Sequence, residues 1–131
     1  MFHLQIERIG DVAIIQCEGR MMQSESVFEL RDAVMTQNGV STVLLDLSEL
    51  EAIGGGGAGM LVMLQSWTHS HGMEFKLFDP QAAVKQKLQS IRSAAELKIA
   101  SMDEVLRLLG WDGPRSDMHK FESVAPRHSA A

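Results

Sequence analysis

Apolar and polar residues alternate at the start of the chain. Phe2, Leu4 and Ile6 fall on one side and His3, Gln5 and Glu7 on the other, the period of a half-buried strand. Gly10-Asp11 predicts a turn, and Val12 to Glu18 predicts a second strand paired with the first as a hairpin. In that register Ala13, Ile15 and Cys17 share one face, with Val12 and Ile14 on the other. The second strand is thus apolar on both faces near its start, as a central strand should be. Gly19-Arg20 reads as its end. The period then becomes helical: Val27, Leu30, Ala33 and Val34 form a stripe. Ser26 and Glu29 have the spacing of a capping box, and Asn38-Gly39 suits a left-handed stop. Val43 to Leu47 is a β-branched and Leu run, the pattern of a buried strand.

Ser48 to Gly59 reads as a loop carrying four consecutive glycines, Gly54 to Gly57. A second helix is expected from about Gly57 to Ser70, with Met60, Leu61, Met63, Leu64 and Trp67 on its apolar side. Glu74 to Phe78 predicts a fourth strand. Asp79-Pro80 predicts a third helix, with Asp at the cap, Pro at the first helical position, and Val84, Leu88 and Ile91 as its stripe. Glu96 to Ala100 reads as a short strand. Ser101 and Glu104 form another capping box, before a last helix with Met102, Val105, Leu106 and Leu109 as its stripe and Gly110 as its stop. The order β-β-α-β-α-β-α-β-α predicts an α/β fold: one domain over residues 1–110, a mixed sheet of about five strands and four helices. Residues 111–131 hold two of the three prolines and balanced charges, and read as a flexible tail.

Composition narrows the function. A length of 131 residues fits one core, and 45% apolar with 22% charged residues is ordinary for a globular domain. The net charge of −5 disfavours nucleic acid and anionic lipid, both of which need a basic face. Cys17 is the one cysteine, so no internal disulfide forms, and it reads as a small buried residue. No run approaches the roughly 20 apolar residues of a spanning helix, and Glu7, Asp11 and Glu18 interrupt any leader-like stretch. The expectation is a cytoplasmic protein without direct membrane insertion.

Candidate chemistry is sparse. A phosphate-cradling P-loop needs a Lys and a hydroxyl that Gly54 to Met60 lacks. His69 and His71 are two residues apart and have no Cys or Glu cluster beside them, so they read as surface residues and no metal site is expected. Glu49 and Glu51 lack any nearby nucleophile and read as solvated. Ser66, Thr68 and Ser70 read as the polar face of the second helix. Met60 and Met63 read as core filling, whereas Met21 and Met22 read as an exposed patch.

The stretch Val43-Leu-Leu-Asp-Leu-Ser-Glu-Leu-Glu-Ala-Ile-Gly-Gly-Gly-Gly-Ala-Gly-Met resembles the signature of the STAS domain, shared by sulphate transporters and anti-sigma factor antagonists. That signature is an apolar strand ending in Asp-Leu, then a linker, then Asp-Ser-Ser-Gly-Leu-Gly opening a helix. Asp46-Leu47 matches the strand end, and Gly57 and Gly59 match the two glycines. Gly19 and Pro80 also stand where the family has Gly and Pro. The resemblance covers residues 2 to 110. It implies a non-enzymatic module that binds an anti-sigma factor or a serine kinase-like partner without a cofactor, with a homodimer left open. The family's Asp-Ser-Ser falls on Gly54, Gly55 and Gly56. The serine phosphorylated in regulated antagonists is therefore Gly56 here, which has no hydroxyl.

The resemblance implies one partner-binding face from Arg20, Met21 and Met22 together with Gly54, Gly55, Gly56, Gly57, Ala58, Gly59 and Met60. The residues themselves allow a helix start whose bare N–H groups receive a carboxylate or phosphate, or a run that merely eases a tight strand-to-helix turn. A degenerate domain is the third reading. Two other functions stay open: a STAS subunit of a lipid or solute ABC-type transporter, and a small-ligand or nucleotide sensor.

Overall fold

The computed structural model describes residues 1–110. The expected tail, 111–131, lies outside the described residues. A hairpin opens the fold: β1 (Phe2–Ile9) pairs antiparallel with β2 (Val12–Met21). There follow α1 (Ser24–Met35), β3 (Thr42–Ile53), α2 (Gly55–Ser70), β4 (Glu74–Phe78), α3 (Ala82–Gln89), a 3-10 turn (Arg92–Glu96), β5 (Lys98–Ala100) and α4 (Met102–Leu108). The strands form one sheet in the order β1-β2-β3-β4-β5, parallel everywhere except in the hairpin.

The strand alternation places the core. Ala13, Ile15 and Cys17 of β2, with Val43, Leu45 and Leu47 of β3, are fully buried on one face. Leu30 and Val34 of α1, Leu61 and Leu64 of α2, and Val84 and Leu88 of α3 pack into the same cluster. Val12 and Leu44 face the other way, where Ala100 of β5 and Val105 of α4 meet them in a smaller cluster. Both faces of the sheet are therefore covered at its centre, which explains the two-sided apolar start of β2. Each of these large side chains contributes roughly 1.5–3 kcal/mol by leaving water.

Several boundaries differ from the sequence reading. β3 runs through Ile53, not Leu47, because it carries two bulges opposite β2, between Gln16 and Glu18 and between Gly19 and Arg20. Each inserts one residue into β3, so Leu47, Leu50 and Ile53 all face the core at a spacing of three. β2 likewise continues through Gly19, at φ +92, to Met21. A side chain at Gly19 would run into the carbonyl of Met1, whose oxygen accepts from Arg20 N–H at 2.9 Å. Ser26 is not a cap: it is buried and its hydroxyl donates to Gln23 O at 2.6 Å, while α1 already starts at Ser24. α3 starts at Ala82 with Gln81 as its cap, because Asp79 sits at φ +53, outside cap geometry. Gln81 Nε2 donates to Ser48 O at 2.8 Å and ties α3 to the first β3 bulge. β5 is shorter than expected, since Arg92–Glu96 forms the 3-10 turn. The Ser101–Glu104 capping box forms as expected.

Candidate functional site: the glycine start of α2

β2 and β3 run parallel and end side by side, with Met21 opposite Ile53. From these ends the chain turns into α1 and α2. Gly54 N–H donates to Met21 O at 2.9 Å, which joins the two strand ends. Gly54 is the N-cap of α2, extended at φ −91 and ψ 177, and offers no side-chain acceptor. Ala58 N–H donates to Gly54 O at 3.0 Å, the first bond of the helix. The N–H groups of Gly55, Gly56 and Gly57 precede that bond, so they are available to an outside acceptor. No acidic residue stands in the first turn to neutralise the positive end of the helix.

The glycines differ in why the fold accepts them. None from Gly54 to Gly59 has positive φ, so backbone conformation demands glycine at none of them. A Cβ at Gly57 would lie 2.8 Å from Ile53 Cγ1 and 3.0 Å from Met21 Sδ, closer than the packing allows. At Gly55, Gly56 and Gly59 a Cβ would meet nothing within 4 Å. Packing thus explains Gly57 alone. The tight-turn explanation, which treats the run as one unit, does not extend to its exposed members.

The predicted residues come together, but not all on the surface. Arg20, Met22, Gly55, Gly56 and Gly59 are exposed, and Gly54 and Met60 are half-buried. Met21 is the correction: it is 0% exposed, since it points inward from β2 and forms the floor under Gly57. Gly57 and Ala58 are buried with it. Met63 is also corrected. It is 37% exposed, four residues after Gly59 on the outward side of α2, and does not fill the core. Phe28 of α1, absent from the sequence reading, is 48% exposed and carries the Arg31 guanidinium 4.8 Å above its ring. Its signal was its place, one step off the Val27–Leu30 stripe.

Other sequence candidates resolve differently. Thr68 is fully buried, with its hydroxyl donating to Leu64 O at 2.8 Å, so it does not belong to the polar face. His71 stacks on Trp67 at 4.1 Å between ring centroids. Among the described residues no three of His, Cys, Asp and Glu converge as metal ligands. Burial pushes the Cys17 thiol far above its usual range, and the Asp46 carboxylate adds to the effect. Asp46 itself is raised by burial, against the opposing pull of Ser48, whose N–H and hydroxyl donate to Oδ1 at 2.9 and 2.7 Å. A separate cleft of about 540 Å³ lies between α3, the 3-10 turn and β5, lined by Leu77, Lys85, Leu88, Ile91, Leu97 and Ile99 among others.

A five-stranded mixed sheet with one antiparallel edge, and a helix opening directly off its third strand, defines an α/β domain of the STAS type. The STAS domain model matches residues 3–103, and the chain belongs to that family. Solved structures agree on the fold. The anti-sigma factor antagonist SpoIIAA in its unphosphorylated form is 18% identical, with a TM-score of 0.69 over 85% of this chain and 100% of that one. An anti-sigma factor antagonist from Mycobacterium paratuberculosis is 14% identical, with a TM-score of 0.70 over 84% of this chain and 95% of that one. A form of RsbS from Moorella thermoacetica is 19% identical, with a TM-score of 0.61 over 82% and 95%. No curated protein matches the sequence. Among the described residues no helix is long and apolar enough to cross a membrane.

Proposed function

We propose that this STAS protein is a non-enzymatic regulator that docks an anti-sigma factor, or a related serine kinase-like protein, on the open start of α2. The observation that carries the reading is that Gly55, Gly56 and Gly59 are bare where neither backbone nor packing requires glycine. Bare backbone lets an approaching chain reach the N–H donors, and the helix dipole favours a carboxylate there. Arg20 and Met22 flank the same opening. Its structural relatives SpoIIAA and the mycobacterial protein are named anti-sigma factor antagonists. Because Gly56 has no hydroxyl, the docking surface stays open whether or not ATP is present. The reading also places the protein in the cytoplasm, with its partner.

The test is calorimetric titration of the chain into an anti-sigma factor or serine kinase-like protein encoded in the same genome, with and without ATP. A stable complex of unchanged affinity in ATP is expected. Gly56→Asp, which fits sterically, is expected to weaken it at least about tenfold by placing a permanent carboxylate on the surface. Loss of the complex on adding ATP, or full affinity in Gly56→Asp, would contradict the reading. If a transporter ATPase captures the chain instead, the same face serves a transporter subunit. The cleft beside α3 gives a ligand-sensing reading a location. Thermal-shift screening with nucleotides and lipids tests it, and no shift would end it.

A further inference from the structure

We propose that the open edge of β1 pairs antiparallel with β1 of a second copy, about a two-fold axis through Gln5, joining two five-stranded sheets into one. The two edges of the sheet are unlike. β5 is three residues long and begins at Lys98, a short and guarded edge. β1 has eight residues, no proline, and an unbroken register with β2 from Phe2–Gly19 to Ile9–Val12. Its Ile6 is 41% exposed, although it sits on the face that the helices cover.

Backbone direction permits the pairing. Met1 O accepts from Arg20 N–H across the hairpin at 2.9 Å, so odd-numbered residues turn their backbone groups toward β2. Phe2, Leu4, Ile6 and Arg8 therefore turn theirs to the open edge. Centred on Gln5, these even-numbered residues meet one another and exchange both N–H···O bonds at each pair. Directly opposite residues share a face. Leu4 then lies against the second copy's Ile6, covering the exposed apolar side chain. On the other face, His3 lies opposite the second copy's Glu7, a ring N–H donor against a carboxylate, and Gln5 meets its own copy. The end pair sets Phe2 opposite Arg8, and a slip of two residues in either direction removes the His3–Glu7 match. The strand is self-complementary in one register, which selects a second copy over an unrelated strand. Nothing in this edge overlaps the start of α2, so the inference stands apart from the docking reading and is tested without any partner.

Sedimentation equilibrium of the full chain, from about one to several hundred micromolar, is expected to show a monomer–dimer equilibrium. Ile6→Lys, at an exposed position, should keep the fold by circular dichroism and raise the dimer dissociation constant at least about tenfold. His3→Glu should weaken the dimer, and His3→Glu combined with Glu7→Lys should restore it. Gln5→Cys should form an intermolecular disulfide under mild oxidation, since non-hydrogen-bonded pairs bring Cβ atoms close, whereas Ile99→Cys on the other edge should not. A monomer throughout the range overturns the proposal. So does a dimer that ignores Ile6→Lys or fails to cross-link through Gln5→Cys.

Discussion

Gly57 and Gly59 are two residues apart in one helix and obey different physics. Gly57 faces Ile53 and Met21 with no room for a methyl, while Gly59 faces solvent with nothing within 4 Å. Gly57→Ala is therefore expected to cost about 1–3 kcal/mol by overpacking, less what alanine returns in helix propensity. Gly59→Ala should instead stabilise by about 0.5–1 kcal/mol, because the only change is a less flexible unfolded chain. Urea denaturation of both variants checks the contrast; equal effects would mean that the floor beneath Gly57 yields. Cys17 gives a second prediction at this scale. Burial holds its thiol well above the ordinary range, so it stays protonated. Ellman's reagent should label it only as the protein unfolds, and fast labelling of the native chain would contradict its burial.

The first bulge of β3 concentrates the electrostatics of the sheet. Asp46 accepts two hydrogen bonds from Ser48 there, yet burial leaves its carboxyl above the ordinary aspartate value of 3.8. A carboxyl raised in the folded state binds its proton more tightly folded than unfolded. Its ionised form therefore subtracts stability, and the loss sets in as pH rises from 3.8 through the folded value. Asp46→Asn keeps an acceptor for Ser48 and removes that charge. It should be at least as stable as the parent at neutral pH, with a flatter melting-temperature profile as pH rises above 3.8. Glu104 has the opposite sign: the Ser101 N–H and Lys76 lower it, so its contribution is present above 4.5 and fades as acid titrates it. At the same corner, Ser101→Ala removes the hydroxyl that accepts from Glu104 N–H and should cost about 1 kcal/mol in chemical denaturation.

At this scale the legibility of the sequence divides cleanly. Alternation at Phe2–Glu7 and the Val27–Val34 stripe announced β1 and α1, since one periodicity held through each. The end of β3 was hidden because two bulges turned its period of two into the 47-50-53 spacing, which resembles no strand. Ser26 mimicked a cap through residue type and spacing, but its burial and its bond to Gln23 O were tertiary facts. Gly54–Gly59 stood out as an unusual run from the letters alone. Which glycine is structural and which are free could be read only from the side chains of Met21 and Ile53 packed beneath.

For the whole molecule, the hairpin and both bulges serve one placement: two parallel strands end together and hold the start of α2 open between them. Exposed Met22 lies just before α1, and exposed Phe28 and Met63 add apolar surface to α1 and α2. The net charge of −5 suits a partner with a basic rim, through faster encounter more than tighter binding. The complex should therefore form faster at low salt, with a dissociation rate that changes little. Stopped-flow mixing across ionic strength measures both rates, and a salt-independent association rate would remove the steering role.

The central claim is that bare backbone donors at a helix start receive the partner. It is tested most directly by the amide signals of Gly55, Gly56 and Gly57 in isotope-labelled protein titrated with the anti-sigma or kinase-like partner. Those three should shift and slow in hydrogen exchange on binding, together with Met22 and Gly59. A complex that forms while they stay unperturbed would contradict the account.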